Sequence, residues 1–242
     1  MPKVKNKLIV ALDVSNIDEA EMLVDKLAPY VGAFKIGMQL FYSGGHRVIA
    51  MATAKGSQVF LDLKMHDIPN TVARACDALV LPGVFMFNVH ASGGMEMLRQ
   101  AAHATRERAK DVGLPKPILL AVTVLTSMDA DTLKSINISV SPEEQVVQLA
   151  RLVQQAGLDG VVASPQEIKK IREACGTNFV ILTPGIRPAG ADANDQKRTA
   201  TPGQAVKDGA DYLVVGRPIT AAADPVEAAK AILAEMEEAN AN

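Results

Sequence analysis

The stretch Val59-Phe60-Leu61-Asp62-Leu63-Lys64-Met65-His66-Asp67-Ile68-Pro69-Asn70-Thr71 begins as an apolar strand and ends as a helix start, with Pro69 suited to the first helical turn. Side chains alternate along a strand, so Asp62 and Lys64 share one face while Leu61 and Leu63 share the other. A strand covered on both faces accepts no charge. The exception is the C-terminal rim of a parallel barrel, where such folds build their active sites. The stretch therefore reads as a barrel strand that carries charge at its rim, with Asp67 just beyond it.

Seven more runs resemble its apolar part. Together the eight occupy residues 8–13, 33–37, 58–64, 84–90, 118–125, 160–163, 179–182 and 212–216, each nearly continuously apolar, as parallel strands covered on both faces should be. Helical spacing lies between them, as in Ile17, Ala20, Val24 and Leu27, or Val146, Leu149, Ala150 and Val153. Four helix-start signals recur in the second half: Ser141-Pro-Glu-Glu144, Ser164-Pro-Gln-Glu167, Thr201-Pro-Gly-Gln204 and Asp224-Pro-Val-Glu227. Each pairs an N-cap with proline at the position where its missing N–H costs nothing. The interval between the second and third is the longest. Its surplus falls in a small, polar stretch that reads as a lid loop at about 184–200. Eight strands alternating with helices, without a linker-like shift in composition, predict one α/β domain over 1–242, a single (β/α)8 TIM barrel. A doubly wound open sheet is the alternative, and the chain lacks the GxGxxG fingerprint that would favour it.

Composition narrows the function. The chain has 242 residues, 48% hydrophobic and 21% charged, with a formal net charge of −2, so it needs no staple for its core and is no disordered chain. Near-neutrality offers no general attraction to nucleic acid or an anionic membrane. Aromatics are 4% and Trp is absent, which argues against a base-stacking platform. No apolar run approaches the ~18 residues of a membrane helix. The apolar segment 8–12 is too short for a signal-peptide core. Cys76 and Cys175 form no CxxC pair, which suits a reducing, cytoplasmic setting.

Two more strands carry charge where a core belongs: the first ends in Asp13, and Lys35 sits inside Ala33-Phe34-Lys35-Ile36-Gly37. Asp13, Lys35, Asp62, Lys64 and Asp67 are thus expected to converge at the rim beside strands 1–3. A purely structural ion-pair cluster is the alternative, but desolvating charges on three strands without a use for them is costly. Acidic neighbours favour the ammonium form of Lys64, which makes it a proton donor; an imine-forming lysine needs the opposite environment. At the other end of the chain, Gly216-Arg217 follows the last strand and Arg187 lies in Thr183-Pro-Gly-Ile-Arg-Pro188. Loops after strands 7 and 8 are the usual phosphate site of such barrels. His66 and His90 lack zinc-ligand spacing, and His90 reads as a hydrogen-bonded rim residue. Thr126 and Ser127, closing strand 5, are placed either to read a polar substrate edge or to cap the loop.

These residues resemble the orotidine 5′-phosphate decarboxylase family across essentially the whole chain. The resemblance is carried by Ala11-Leu-Asp13, by Lys35 in Phe-Lys-Ile-Gly and by Asp62-Leu-Lys-Met-His-Asp-Ile-Pro-Asn-Thr71. Further carriers are Asn88-Val-His-Ala-Ser-Gly-Gly94, Leu125-Thr-Ser127, Thr183-Pro-Gly-Ile-Arg-Pro188 and Gly216-Arg217. It implies a homodimer that converts orotidine 5′-monophosphate to UMP and CO2 without metal or organic cofactor. Lys64 would protonate C6 within a network of Lys35, Asp62, Lys64 and Asp67. Asp67 and Thr71 would reach the neighbouring subunit's site. Asp13 and Lys35 would hold the ribose, Thr126 the pyrimidine, and Arg187, Gln196, Gly216 and Arg217 the phosphate. Two competing readings are a relative acting on a sugar phosphate through a Mg²⁺-stabilised enediolate, which carries an acid on strand 2 where this chain has Lys35, and a phosphate-binding regulatory barrel without turnover.

Overall fold

Eight parallel strands close into a barrel in sequence order in the computed structural model, which describes residues 4–188 and 198–241. They are β1 (Leu8–Ala11), β2 (Ala33–Gly37), β3 (Gln58–Met65), β4 (Val84–His90), β5 (Ile118–Val122), β6 (Gly160–Val162), β7 (Val180–Thr183) and β8 (Tyr212–Val215). Each pairs with its successor, and β8 closes on β1 through Leu8 opposite Leu213 and Val10 opposite Val215. This is the (β/α)8 barrel that the alternating pattern predicted. No helix among the described residues is long and apolar enough to cross a membrane.

Alternation sorts the strand residues into two apolar clusters. Ile9, Ala11, Ala33, Phe60, Met86, Leu120, Leu182 and Val214 fill the barrel interior. Their neighbours in sequence, such as Val10, Phe34, Leu61, Phe87 and Leu119, point outward and pack with Val24, Leu27, Ala150 and Val153 of the surrounding helices. Burying a side chain of this size contributes roughly 1.5–3 kcal/mol, so a one-residue register slip, which would exchange the two sets, is strongly disfavoured.

The helix-start signals act as read. Ser141 and Glu144 form a complete capping box, Thr201 accepts from the Gln204 N–H, and Asp224 accepts from the N–H groups of Val226 and Glu227. Ser164 starts a short 3-10 turn, Pro165–Glu167, ahead of the helix Ile168–Cys175.

Four strands end earlier than their apolar runs, β6 and β8 by one residue and β1 and β5 by two or more. β1 stops at Ala11, although the Leu12 N–H still donates to the Lys35 carbonyl at 3.0 Å. β5 stops at Val122, although the Thr123 N–H and hydroxyl both still donate to the Val162 carbonyl, and Thr126 follows in the loop beyond.

Candidate active site at the C-terminal rim

Interior positions are apolar toward the N-terminal end of the barrel and become charged at its C-terminal end. On β3 the sequence runs Phe60, Asp62, Lys64 along the interior face; on β2 Lys35 follows Ala33; just past the end of β1, Asp13 follows Ala11. These groups form one row of alternating charge. Lys35 Nζ lies 2.8 Å from Asp13 Oδ1 and 3.4 Å from Asp62 Oδ2, and Lys64 Nζ lies 2.7 Å from Asp62 Oδ1.

Burial by itself would push both inner groups toward neutrality, but their partners outweigh it. The Lys35 ammonium, penalised by desolvation, is held above its ordinary value by Asp62 and Asp13. The Asp62 carboxyl, likewise penalised, is held below its ordinary value by Lys35 and Lys64 and by hydrogen bonds from Lys64 and Asn88. Both therefore stay charged at neutral pH.

The row forms part of the wall of a cavity of about 460 Å³, within the usual ~300–1,000 Å³ of small-molecule sites. Val122, Val124, Val162, Leu182 and Val214 supply apolar wall, and Thr126 a half-buried hydroxyl. Gly216, Arg217 and the buried Arg187 line the same cavity. Arg187 is fixed by its own backbone, whose N–H donates to the Ala200 carbonyl at 3.0 Å. Desolvation and the neighbouring Arg217 lower its proton affinity below the ordinary value. Two guanidinium groups lining one cavity suit a doubly charged anion such as a phosphate.

Of the five charges expected to converge, four do. Asp67 stands apart: it is exposed beyond the end of β3, its carboxylate accepts from the Ile68 N–H at 2.7 Å, and among the described residues it makes no ion pair within the chain. The chain has already turned toward the helix Pro69–Leu79, which carries the exposed Thr71. Gln196 and the middle of the lid segment 184–200 lie outside the described residues. His90 is half-buried, with its ring 5.6 Å from that of His66; burial first, then His66 and Lys64, lower its proton affinity.

Three groups next to the site were given no site role by the sequence. Asn88 of β4 is fully buried, accepts from the Lys64 N–H at 2.8 Å and donates to Asp62 Oδ1 at 2.8 Å. The signal that singled out Lys35, a polar side chain at an interior position of an apolar strand, was present here too. Arg198 and Glu167 form a buried ion pair, and Arg198 also donates to the Leu125 carbonyl. Nothing in the spacing of those two residues announces the pair.

The profile of the orotidine 5′-phosphate decarboxylase / HUMPS family matches residues 6–232. The orotidine 5′-phosphate decarboxylase of Moorella thermoacetica is 56% identical over 234 residues, covering 96% of this chain and 93% of the relative. That of Syntrophomonas wolfei is 52% identical over 237 residues, covering 97% and 99%. The crystal structure of orotidine 5′-phosphate decarboxylase from Lactobacillus acidophilus matches with a TM-score of 0.84 at 42% identity, covering 95% of this chain and 98% of that one.

Proposed function

The chain belongs to the orotidine 5′-phosphate decarboxylase / HUMPS family, and from that premise we infer that it decarboxylates orotidine 5′-monophosphate to UMP and CO2 in pyrimidine biosynthesis. The observation that carries the reading is the row Asp13–Lys35–Asp62–Lys64 on the wall of a cavity that also contains Arg187 and Arg217.

Cleavage of the C6–carboxylate bond leaves its electron pair on C6, where no adjacent carbonyl delocalises it well. The Lys64 ammonium meets that charge as it develops and then transfers a proton from Nζ to C6. Asp62 holds the ammonium in place and sits beside the departing carboxylate. Asp13 and Lys35 grip the ribose and Thr126 the pyrimidine. Arg187, Gln196, Gly216 and Arg217 bind the phosphate, with 184–200 as the lid. Binding energy from this remote grip goes into orienting the reacting carbon.

A homodimer completes the site in this reading, with Asp67 and Thr71 serving the partner subunit. It is supported by the exposure of both residues and of Ile68 between them, at 66%. The free thiols of Cys76 and Cys175 fit a cytoplasmic enzyme.

The alternative within the family, sugar-phosphate chemistry at a Mg²⁺-stabilised enediolate, is disfavoured by Lys35. That residue puts an ammonium, paired to both Asp13 and Asp62, where an acid would be needed for the metal. The test follows ultraviolet absorbance as purified protein meets orotidine 5′-monophosphate in excess EDTA. Full turnover is expected, and loss of activity with chelation would favour the metal reading. Lys64→Ala is expected to abolish turnover with UMP affinity largely kept; near-normal decarboxylation would overturn the role of that lysine.

A further inference from the structure

The ladder between β3 and β4 is interrupted where the charged row begins. Leu61 lies opposite Phe87 and Met65 opposite Val89, so four steps along β3 are matched by two along β4. The extra length is a bulge, and bulges leave backbone groups of the longer strand without their ladder partners. Lys64 sits within it at φ 51°, in the left-handed region, which is strained for a residue with a long side chain.

The side chain of Asn88 occupies the gap. Its backbone is held on the far side by register with Leu120 of β5. Its amide oxygen accepts from the Lys64 N–H at 2.8 Å, and its Nδ2 donates to Asp62 Oδ1 at 2.8 Å. That carboxylate oxygen is the one that Lys64 Nζ approaches at 2.7 Å, while Oδ2 faces Lys35 at 3.4 Å. One amide therefore grips the lysine at its backbone and the lysine's counter-ion at its oxygen. Asn88 is fully buried and is not among the residues lining the cavity.

We propose that Asn88 is a positioning residue for decarboxylation, clamping the β3 bulge so that the Lys64 ammonium and the Asp62 carboxylate are held in fixed relation to the substrate's C6. The proposal rests on the functional reading above for its effect on turnover, but not for its effect on the bulge. An amide suits the task because it supplies an acceptor and a donor on one rigid plane. A carboxylate supplies only acceptors, and an apolar side chain neither.

The experiment uses Asn88→Ala and Asn88→Asp beside the full-length wild type, measuring kcat and KM for orotidine 5′-monophosphate, UMP affinity, melting temperature and, by NMR, hydrogen exchange at the Lys64 amide. Misplacement of a reacting group by about 1 Å costs on the order of 10²-fold in rate. Asn88→Ala is therefore expected to lose roughly that factor in kcat, with UMP affinity kept, and to speed exchange at the Lys64 amide by about tenfold or more as its acceptor is lost.

Asn88→Asp keeps an acceptor for Lys64 and regains a donor toward Asp62 only when protonated. The charged and titratable groups facing position 88 are Asp62 and Lys64 on β3, Lys35 on β2, and His90 on β4 with His66 against it; they are common to both proteins. The ratio of variant to wild-type kcat is expected to rise as pH falls.

A kcat within threefold of wild type for Asn88→Ala would overturn the proposal, as would a fall in kcat matched by an equal loss of UMP affinity. Unchanged exchange at Lys64 or a pH-independent ratio for Asn88→Asp would do the same. If Asn88→Ala does not fold, the ratio for Asn88→Asp decides. A wild type that exchanges slowly at Lys64 but fails to turn over the nucleotide in EDTA would sink the functional reading and leave the clamp standing.

Discussion

At the scale of single residues, the site is governed by what happens to charge out of water. Asp62 receives Lys64, Asn88 and Lys35, and each contact offsets part of the several kcal/mol that burying a carboxylate costs. Lys64 is held in a backbone region that costs about 1–3 kcal/mol for a residue other than glycine. Leaving its N–H without an acceptor would add about 1–3 kcal/mol more, which the Asn88 oxygen avoids. His90 reports on the same field from the other side. Its folded-state proton affinity is depressed by burial and then by His66 and Lys64, so the neutral ring is the native form. A depressed group contributes stability above its unfolded value, near 6.5, that is lost as pH falls through the folded one. The His90 ring is therefore expected to titrate below 6.5 by NMR, and His90→Gln to flatten the part of the stability loss seen as pH falls below 6.5. A ring that titrates above 6.5 would contradict the account.

At the scale of elements, the loops above β5, β6 and β7 are tied together by one buried guanidinium. Arg198 closes the end of the segment following β7, pairs with Glu167 in the turn after β6 and donates to the Leu125 carbonyl after β5. Burial pushes the Glu167 carboxyl up against the pull of Arg198, which marks a pair held at considerable desolvation cost. Ile186 and Ala200 bridge the two ends of the same segment, so the strut lies between the loop carrying Thr126 and the one carrying Arg187. Removing one member of a buried pair typically costs ~3–5 kcal/mol, whereas replacing both is far milder. Arg198→Met is expected to destabilise by about 3 kcal/mol and to raise KM. Adding Glu167→Gln should recover much of the stability. Urea denaturation checks the first claim and steady-state kinetics the second; a double variant no more stable than Arg198→Met would remove the pair from the account.

At the scale of the whole molecule, the barrel supplies the charged row and the arginine-lined end of the cavity from one chain, but leaves Asp67 and Thr71 exposed beyond the end of β3. In a symmetric dimer each site would take Lys64 from one subunit and Asp67 from the other. Light scattering should then give twice the 25.7 kDa chain mass. Lys64→Ala and Asp67→Asn, each expected to be inactive alone, should on mixing and reassociation restore about a quarter of the wild-type rate, because only one of the two sites in each mixed dimer is intact. Failure to complement would return Asp67 to its own subunit's surface.

The amino-acid sequence by itself determined the barrel, the helix starts and most of the charged row, because these rest on local quantities. Strand runs, N-caps and the parity of Asp62 and Lys64 depend only on side-chain period and neighbouring residues, and Lys35 was conspicuous as a charge within an apolar run. What only the tertiary structure decided depends on how distant segments meet. The bulge at Lys64 exists because β3 and β4 advance unequally, and parity along β3 alone contains no trace of it. Asn88 acquires its meaning from lying across that bulge, Arg198 from reaching Glu167 and Leu125, and Asp67 falls outside the row because its carboxylate is taken up by the Ile68 N–H where the chain turns away. Register and closure are set by the packing of the whole barrel, so the contacts that depend on them cannot be read from spacing along the chain.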